Sequence, residues 1–76
     1  MASPVQTQTF RLSGDYIELN QLLKLAGACD SGGAGKALVA SGAVQVDGQR
    51  ELRKTCKIRA GQTVRFQTLQ IEVIAA

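Results

Sequence analysis

Arg50, Arg53, Lys54, Lys57 and Arg59 fall within ten residues of a 76-residue chain that has nine Lys and Arg in all. More than half of the positive charge thus lies in one short stretch, directly after Asp47-Gly48. Its only acid is Glu51, so the run reads as charge that is not neutralised locally. The chemistry open to such a cluster is electrostatic. A guanidinium forks onto two oxygens of one phosphate, while ammonium groups serve as mobile point charges. A polyanion that meets them gains further by releasing its counterions. Helical spacing sets Lys24 and Lys36 on the outer sides of two predicted helices, where they would complete a basic surface.

Covalent chemistry finds little support. There is no histidine, the commonest general base. The six carboxylates (Asp15, Glu18, Asp30, Asp47, Glu51 and Glu72) are scattered and form no visible pair. Cys29 and Cys56 make no C-x-x-C motif and have no histidine to complete a zinc site. No catalytic residue, metal ligand or cofactor is therefore expected, and the chain does not read as an enzyme. Cationic neighbours can lower the pKa of Cys56. Its alternation with Ile58 instead favours a small residue on the inner face of an extended segment. The two cysteines are expected as free thiols, with a single disulfide as the alternative. "SGGAGK", residues 31–36, fails as a phosphate-binding loop of the Walker type: Asp30 stands where its first Gly belongs, and Ala37 follows Lys36. The favoured reading is that these glycines let two helices approach closely. Free N–H groups at a glycine-rich helix start can also bind phosphate.

The elements that would hold the basic run follow from periodicity. Residues 1–9 read as a flexible tail, and residues 9–14 as a short strand with Phe10 and Leu12 on one face. Residues 18–26 repeat at helical spacing, with Leu19, Leu22, Leu23 and Ala26 as the buried stripe and Gly27 as terminator. A second helix is capped by Asp30 or Ser31 and closed by Gly42, with Ala34, Ala37, Leu38 and Ser41 inward. The period then changes to two. Val44 and Val46 precede an Asp-Gly hairpin turn. Val64 and Phe66 face inward after a second turn at Ala60-Gly61, and Leu69, Ile71 and Val73 alternate with polar or exposed positions. The fold class is α+β, a helical hairpin packed on a small antiparallel sheet.

Length and composition agree with one domain, residues 10–76, behind the tail. The chain is 45% hydrophobic and 20% charged, with a net charge of +3, as in an ordinary globular protein with a mild preference for anions. "MASPVQTQT" lacks the apolar segment of a signal peptide, and no apolar run nears the roughly 20 residues that cross a bilayer. A cytoplasmic location away from membranes is expected.

The pattern "LNQLLKLAG", "SGGAGKALVASG", "AVQVDG" and "IRAGQTVRF" resembles the S-four domain, the RNA-binding fold of ribosomal small-subunit protein four, also called the alpha-L motif. "ELRKTCKIRAGQTV" looks like the YbcJ-like group of small free-standing bacterial proteins within that superfamily. The resemblance covers about 60 of the 76 residues. It implies RNA binding by the outer face of the helical pair and the adjoining loop. Position by position, Lys24 matches a basic site on the first helix and Lys36 an Arg or Lys inside the second. Arg53, Lys54 and Lys57 match the basic run of the YbcJ-like group. Many S-four domains carry Arg where this chain has Gly32, so one phosphate contact is absent or is made by backbone N–H groups. Arg50 and Arg59 match no fixed position and rest on charge alone.

The expected partner is structured RNA, ribosomal or otherwise folded, bound by a monomer that can associate with the ribosome. Aromatic content supports structure over single strand. Phe10 and Phe66 alternate as core residues do, which leaves Tyr16 as the one platform on which a base could stack. The alternatives are a protein-interaction module with an acidic partner and an accessory acting in trans with an RNA-modifying enzyme.

Overall fold

Two periodicities divide the chain, and each buries one face. In the computed structural model, which describes residues 6–75, the order is β1 (Gln6–Arg11), β2 (Ile17–Glu18), α1 (Leu19–Leu25), α2 (Gly32–Ala40), β3 (Val44–Val46), β4 (Gln49–Arg50), β5 (Lys57–Ile58), β6 (Thr63–Phe66) and β7 (Leu69–Ile74). Five strands form one sheet in the order β1-β7-β6-β3-β4, and β2 pairs with β5 in a separate ladder. Leu19, Leu22 and Leu23 of α1 meet Val39, Val44, Ile58, Val64, Ile71 and Val73 in a single core. Two helices that share this core with a sheet make the fold α+β, as expected.

The sheet is mixed rather than antiparallel. β1 runs parallel to β7, with Phe10 opposite Val73, while the other pairs are antiparallel. A parallel neighbour needs a long connection, and here most of the domain lies between the two strands. β1 also begins at Gln6, so the tail expectation fails for residues 6–9; residues 1–5 lie outside the described residues. The four polar side chains of residues 6–9 are exposed on an edge strand, which is ordered by backbone pairing with β7 and by one side-chain bond, from Gln8 Nε2 to Ala26 O at 3.3 Å. Side-chain patterning does not report that kind of strand.

Helix α1 ends as its sequence suggests. Gly27 has φ of 83°, its N–H bonds to Lys24 O, and Ala28 N–H bonds to Leu23 O, a Schellman closure. Helix α2 starts at Ser31, whose hydroxyl accepts from Ala34 N at 3.1 Å. Such a cap typically stabilises by about 1 kcal/mol. The buried face of α2 differs from the expected one. Gly35 and Val39 are buried and Leu38 is half-buried, whereas Ala34, Ala37 and Ser41 are exposed. Close approach explains the rotation: a Cβ on Gly35 would sit 2.5 Å from the Asn20 carbonyl oxygen of α1. The helix turns toward its partner the residue that has no side chain. The glycine-rich stretch therefore works as a packing surface, and Gly35 is its point of contact.

Candidate nucleic-acid interface

The basic run is held by backbone geometry on both sides. Asp47 and Gly48 both take positive φ, 52° and 82°, as a two-residue type I′ turn between β3 and β4 requires. The Asp47 carboxylate accepts from Thr63 N at 3.0 Å and Gln62 Nε2 at 3.1 Å, tying that turn to the start of β6. The chain then leaves β4, passes through residues 51–56 and re-enters a ladder at β5. Two bonds fix the loop from behind. Leu19 N donates to Cys56 O at 2.8 Å, and Asn20 N donates to Lys54 O at 3.2 Å. These are among the first N–H groups of α1, which lack intrahelical acceptors, and the residue before the helix, Glu18, supplies no side-chain cap. The carbonyls of the basic loop do the capping instead. The loop thus completes the helix, and the helix orients the loop.

That arrangement forms a groove of about 760 Å³ lined by Lys36, Leu52, Arg53, Lys54, Thr55, Cys56 and Lys57. Lys36, Arg53, Lys54 and Lys57 are all exposed. Four of the seven predicted binding residues therefore converge from α2, the loop and β5. The other three do not line the groove. Lys24 is exposed in the last turn of α1, where its charge also complements the helix dipole. Arg50 lies along Gly42: a Cβ there would come 3.4 Å from Arg50 Cδ and 3.5 Å from Nε. Arg59 lies beyond Lys57, over the ring of Tyr16. Its Cζ is 5.9 Å from the ring centroid, and Lys57 Nζ is 4.9 Å from it.

One expectation about charge is corrected. The run is neutralised locally at Arg53. The Arg53 fork closes on Glu51, with Nε to Oε2 and Nη2 to Oε1 both at 3.0 Å, and Arg53 N also donates to Oε2 at 3.0 Å. The Glu51 side chain is only 17% exposed, whereas that of Arg53 is 78% exposed. The guanidinium and the backbone N–H of Arg53 hold the Glu51 carboxyl down at about 2. Spacing of two residues inside a loop carries no sequence signal for such a pair, which is why Glu51 reads in the sequence as a lone acid and not as the partner of Arg53. Cys56 also departs from the reactive option. Burial, then the hydrogen bond to Glu51, pushes its thiol up, against the weaker opposing pull of Arg53. It packs half-buried against the core and is free, as is Cys29. Among the described residues no three His, Cys, Asp or Glu side chains gather as metal ligands.

The comparisons with known proteins bear on this geometry. The family model described as S4 domain matches residues 10–74. The chain is a member of the S4 domain family. The matched span takes in both helices, the Asp-Gly turn and the whole basic loop. YbcJ of Escherichia coli (strain K12) and YbcJ of Shigella flexneri are each 50% identical to the chain over 60 residues, covering 79% of it and 86% of each relative. The solution structure of YbcJ from Escherichia coli, which presents an alpha-L motif involved in RNA-binding, superposes with a TM-score of 0.66 at 43% identity. That match covers 99% of this chain and 94% of the other. This S4 domain thus has the helical hairpin and sheet that the resemblance implied, with the basic loop bolted to the first helix.

Proposed function

We propose that the protein binds folded RNA through the groove between α2 and the 51–57 segment, as a monomeric cytoplasmic module rather than an enzyme. One observation carries this reading: Lys36 from α2 converges with Lys54 and Lys57 on a single exposed groove whose loop is pinned to α1. Three ammonium groups on a fixed frame match phosphates at fixed spacing, as a helix or junction displays them and a flexible strand does not. Phe10 and Phe66 pack against the core, so a run of stacked bases has no row of platforms. Membership in the S4 domain family and the RNA-binding alpha-L motif of the YbcJ structure support the same class of ligand. Ribosomal RNA and other folded RNAs both fit this chemistry. Among the described residues no helix is long and apolar enough to cross a membrane.

The test is competition for the protein between a hairpin RNA and an unstructured homopolymer of equal length. The hairpin is expected to win, and Lys36→Ala, Lys54→Ala and Lys57→Ala together should remove most of its binding. Equal or better competition by the homopolymer would refute the preference for folded RNA. Full affinity in the triple variant would move the site elsewhere.

A further inference from the structure

Tyr16, Lys57 and Arg59 form a feature that phosphate binding along the groove does not explain. Tyr16 is 43% exposed, and the two cations lie over its ring at 4.9 Å and 5.9 Å. Both cations are exposed, and among the described residues neither forms an ion pair, although Glu18 stands opposite Lys57 in the β2–β5 ladder. Two like charges gathered at one ring are held by its electron-rich face. An anion brought there would relieve their mutual repulsion. Lys57 belongs to the groove as well, so the ring stands at the end of the basic track.

We infer that Tyr16 is a stacking platform for a single unpaired nucleotide of the bound RNA, with Arg59 taking its phosphate and Lys57 the neighbouring phosphate at the end of the groove. This rests on the reading that folded RNA occupies the groove. A cation over an exposed ring is held more weakly than a base stacked on it. An arriving base therefore takes the ring face, and the displaced cation turns to the phosphate attached to that base. No charge is left unpaired in the exchange. One platform serves one base, which suits a bulge or a junction nucleotide beside a helix. It would not serve an extended single strand.

The chain has one Tyr and no Trp, so its intrinsic tyrosine emission reports on Tyr16 alone. The full chain is titrated with a hairpin RNA of uninterrupted stem and with the same hairpin carrying a one-nucleotide bulge at successive positions. At the best position the bulged hairpin is expected to bind at least about fivefold more tightly, the low end of one base–aromatic stack. It should quench the tyrosine emission, which the uninterrupted hairpin leaves largely unchanged. Tyr16→Phe should keep the preference for the bulge. Tyr16→Ala and Tyr16→Leu, the second retaining apolar bulk without a π face, should abolish it while binding the uninterrupted hairpin as before. Equal affinity of the unaltered protein for all hairpins would overturn the platform and leave the groove standing. Failure to bind any hairpin would overturn both.

Discussion

Replacing Glu51 by Gln should tighten RNA binding, and the expected gain can be worked from the geometry. In the folded protein Arg53 spends its fork on Glu51. The cations left to meet phosphate at the groove and its end are Lys36, Lys54, Lys57 and Arg59. Four phosphate contacts give a slope of about −3.6 for log K against log salt, at about −0.9 per contact. Glu51→Gln removes the anion and keeps an oxygen for the Arg53 backbone N–H, so the loop retains that bond while the guanidinium is freed. A fifth contact steepens the slope to about −4.5 and raises affinity about fivefold at 0.15 M salt and about fifteenfold at 0.05 M. The assay is fluorescence anisotropy of a labelled hairpin across that salt range. Arg53→Ala supplies the control through a double-mutant cycle. It should change the slope little in the parent protein and return it to about −3.6 in the Glu51→Gln background. An unchanged slope in Glu51→Gln would show that Arg53 gains nothing by release. Weaker binding would show that Glu51 presents Arg53 to the RNA rather than withholding it.

Three further outcomes are expected. Lys36→Ala, Lys54→Ala and Lys57→Ala together should flatten the salt slope to about −0.9, and each exposed change should shift stability by less than about 0.5 kcal/mol. Gly35→Ala should destabilise by about 1–3 kcal/mol in chemical denaturation, because its Cβ would meet the Asn20 backbone at 2.5 Å. Gly33→Ala, whose Cβ would find nothing nearer than Ser31 Oγ at 3.9 Å, should stabilise by about 0.4–1 kcal/mol. Equal effects at the two glycines would mean that the helices do not meet at Gly35. The folded-state pKa of Glu51 is about 2 against an ordinary 4.5. Its contribution to stability is therefore complete above pH 4.5 and is lost as pH falls toward 2. Thermal melts should show a gap between the parent and Glu51→Gln that is constant from pH 8 to about pH 5 and narrows below. A gap that persists at pH 2 would contradict the pairing with Arg53.

What could be read in the sequence was whatever local pattern controls. Leu19, Leu22 and Leu23 announce a buried helical stripe. Gly27 announces a helix end, Asp47-Gly48 a tight hairpin, and Val44, Val46 and Val64 the inner face of a sheet. Each depends on neighbours within a few residues. Of Gln6–Arg11 only the end from Thr9 is legible, through Phe10; residues 6–8 are not, because an edge strand is set mainly by backbone partners and its own partner, β7, lies some sixty residues away. The buried face of α2 is not legible in the sequence because a hydrophobic pattern ranks Ala34 and Ala37 above Gly35. Packing ranks them the other way when backbones touch. Within the site, position in sequence was enough to group Arg53, Lys54 and Lys57, and helical phase was enough to expose Lys36. Neither shows that Lys57 and Arg59 share a ring with Tyr16, or that Glu51 occupies Arg53.

The pairing of Arg53 with Glu51 also shows how the loop keeps its shape. Residues 51–56 form a segment without strand or helix, in which Arg53 and Lys54 repel each other and Lys57 of β5 just beyond it. A small domain has little apolar surface to spare for holding such a segment down. Two sets of bonds and one packing contact hold it with little apolar cover: the two N–H groups of α1 on Lys54 O and Cys56 O, the triple bonding of Arg53 to Glu51, and Cys56 packed against the core. The first set costs the helix nothing, since those N–H groups have no acceptor within α1. The second removes one positive charge from the repulsion and closes a tight local turn. Lys54 and Lys57 are then the charges that remain free, on either side of a fixed point. A groove that withholds one cation in order to hold two others steady gives up affinity for a defined spacing. On the proposed reading, that spacing is the property by which the protein would distinguish a folded RNA from a flexible one.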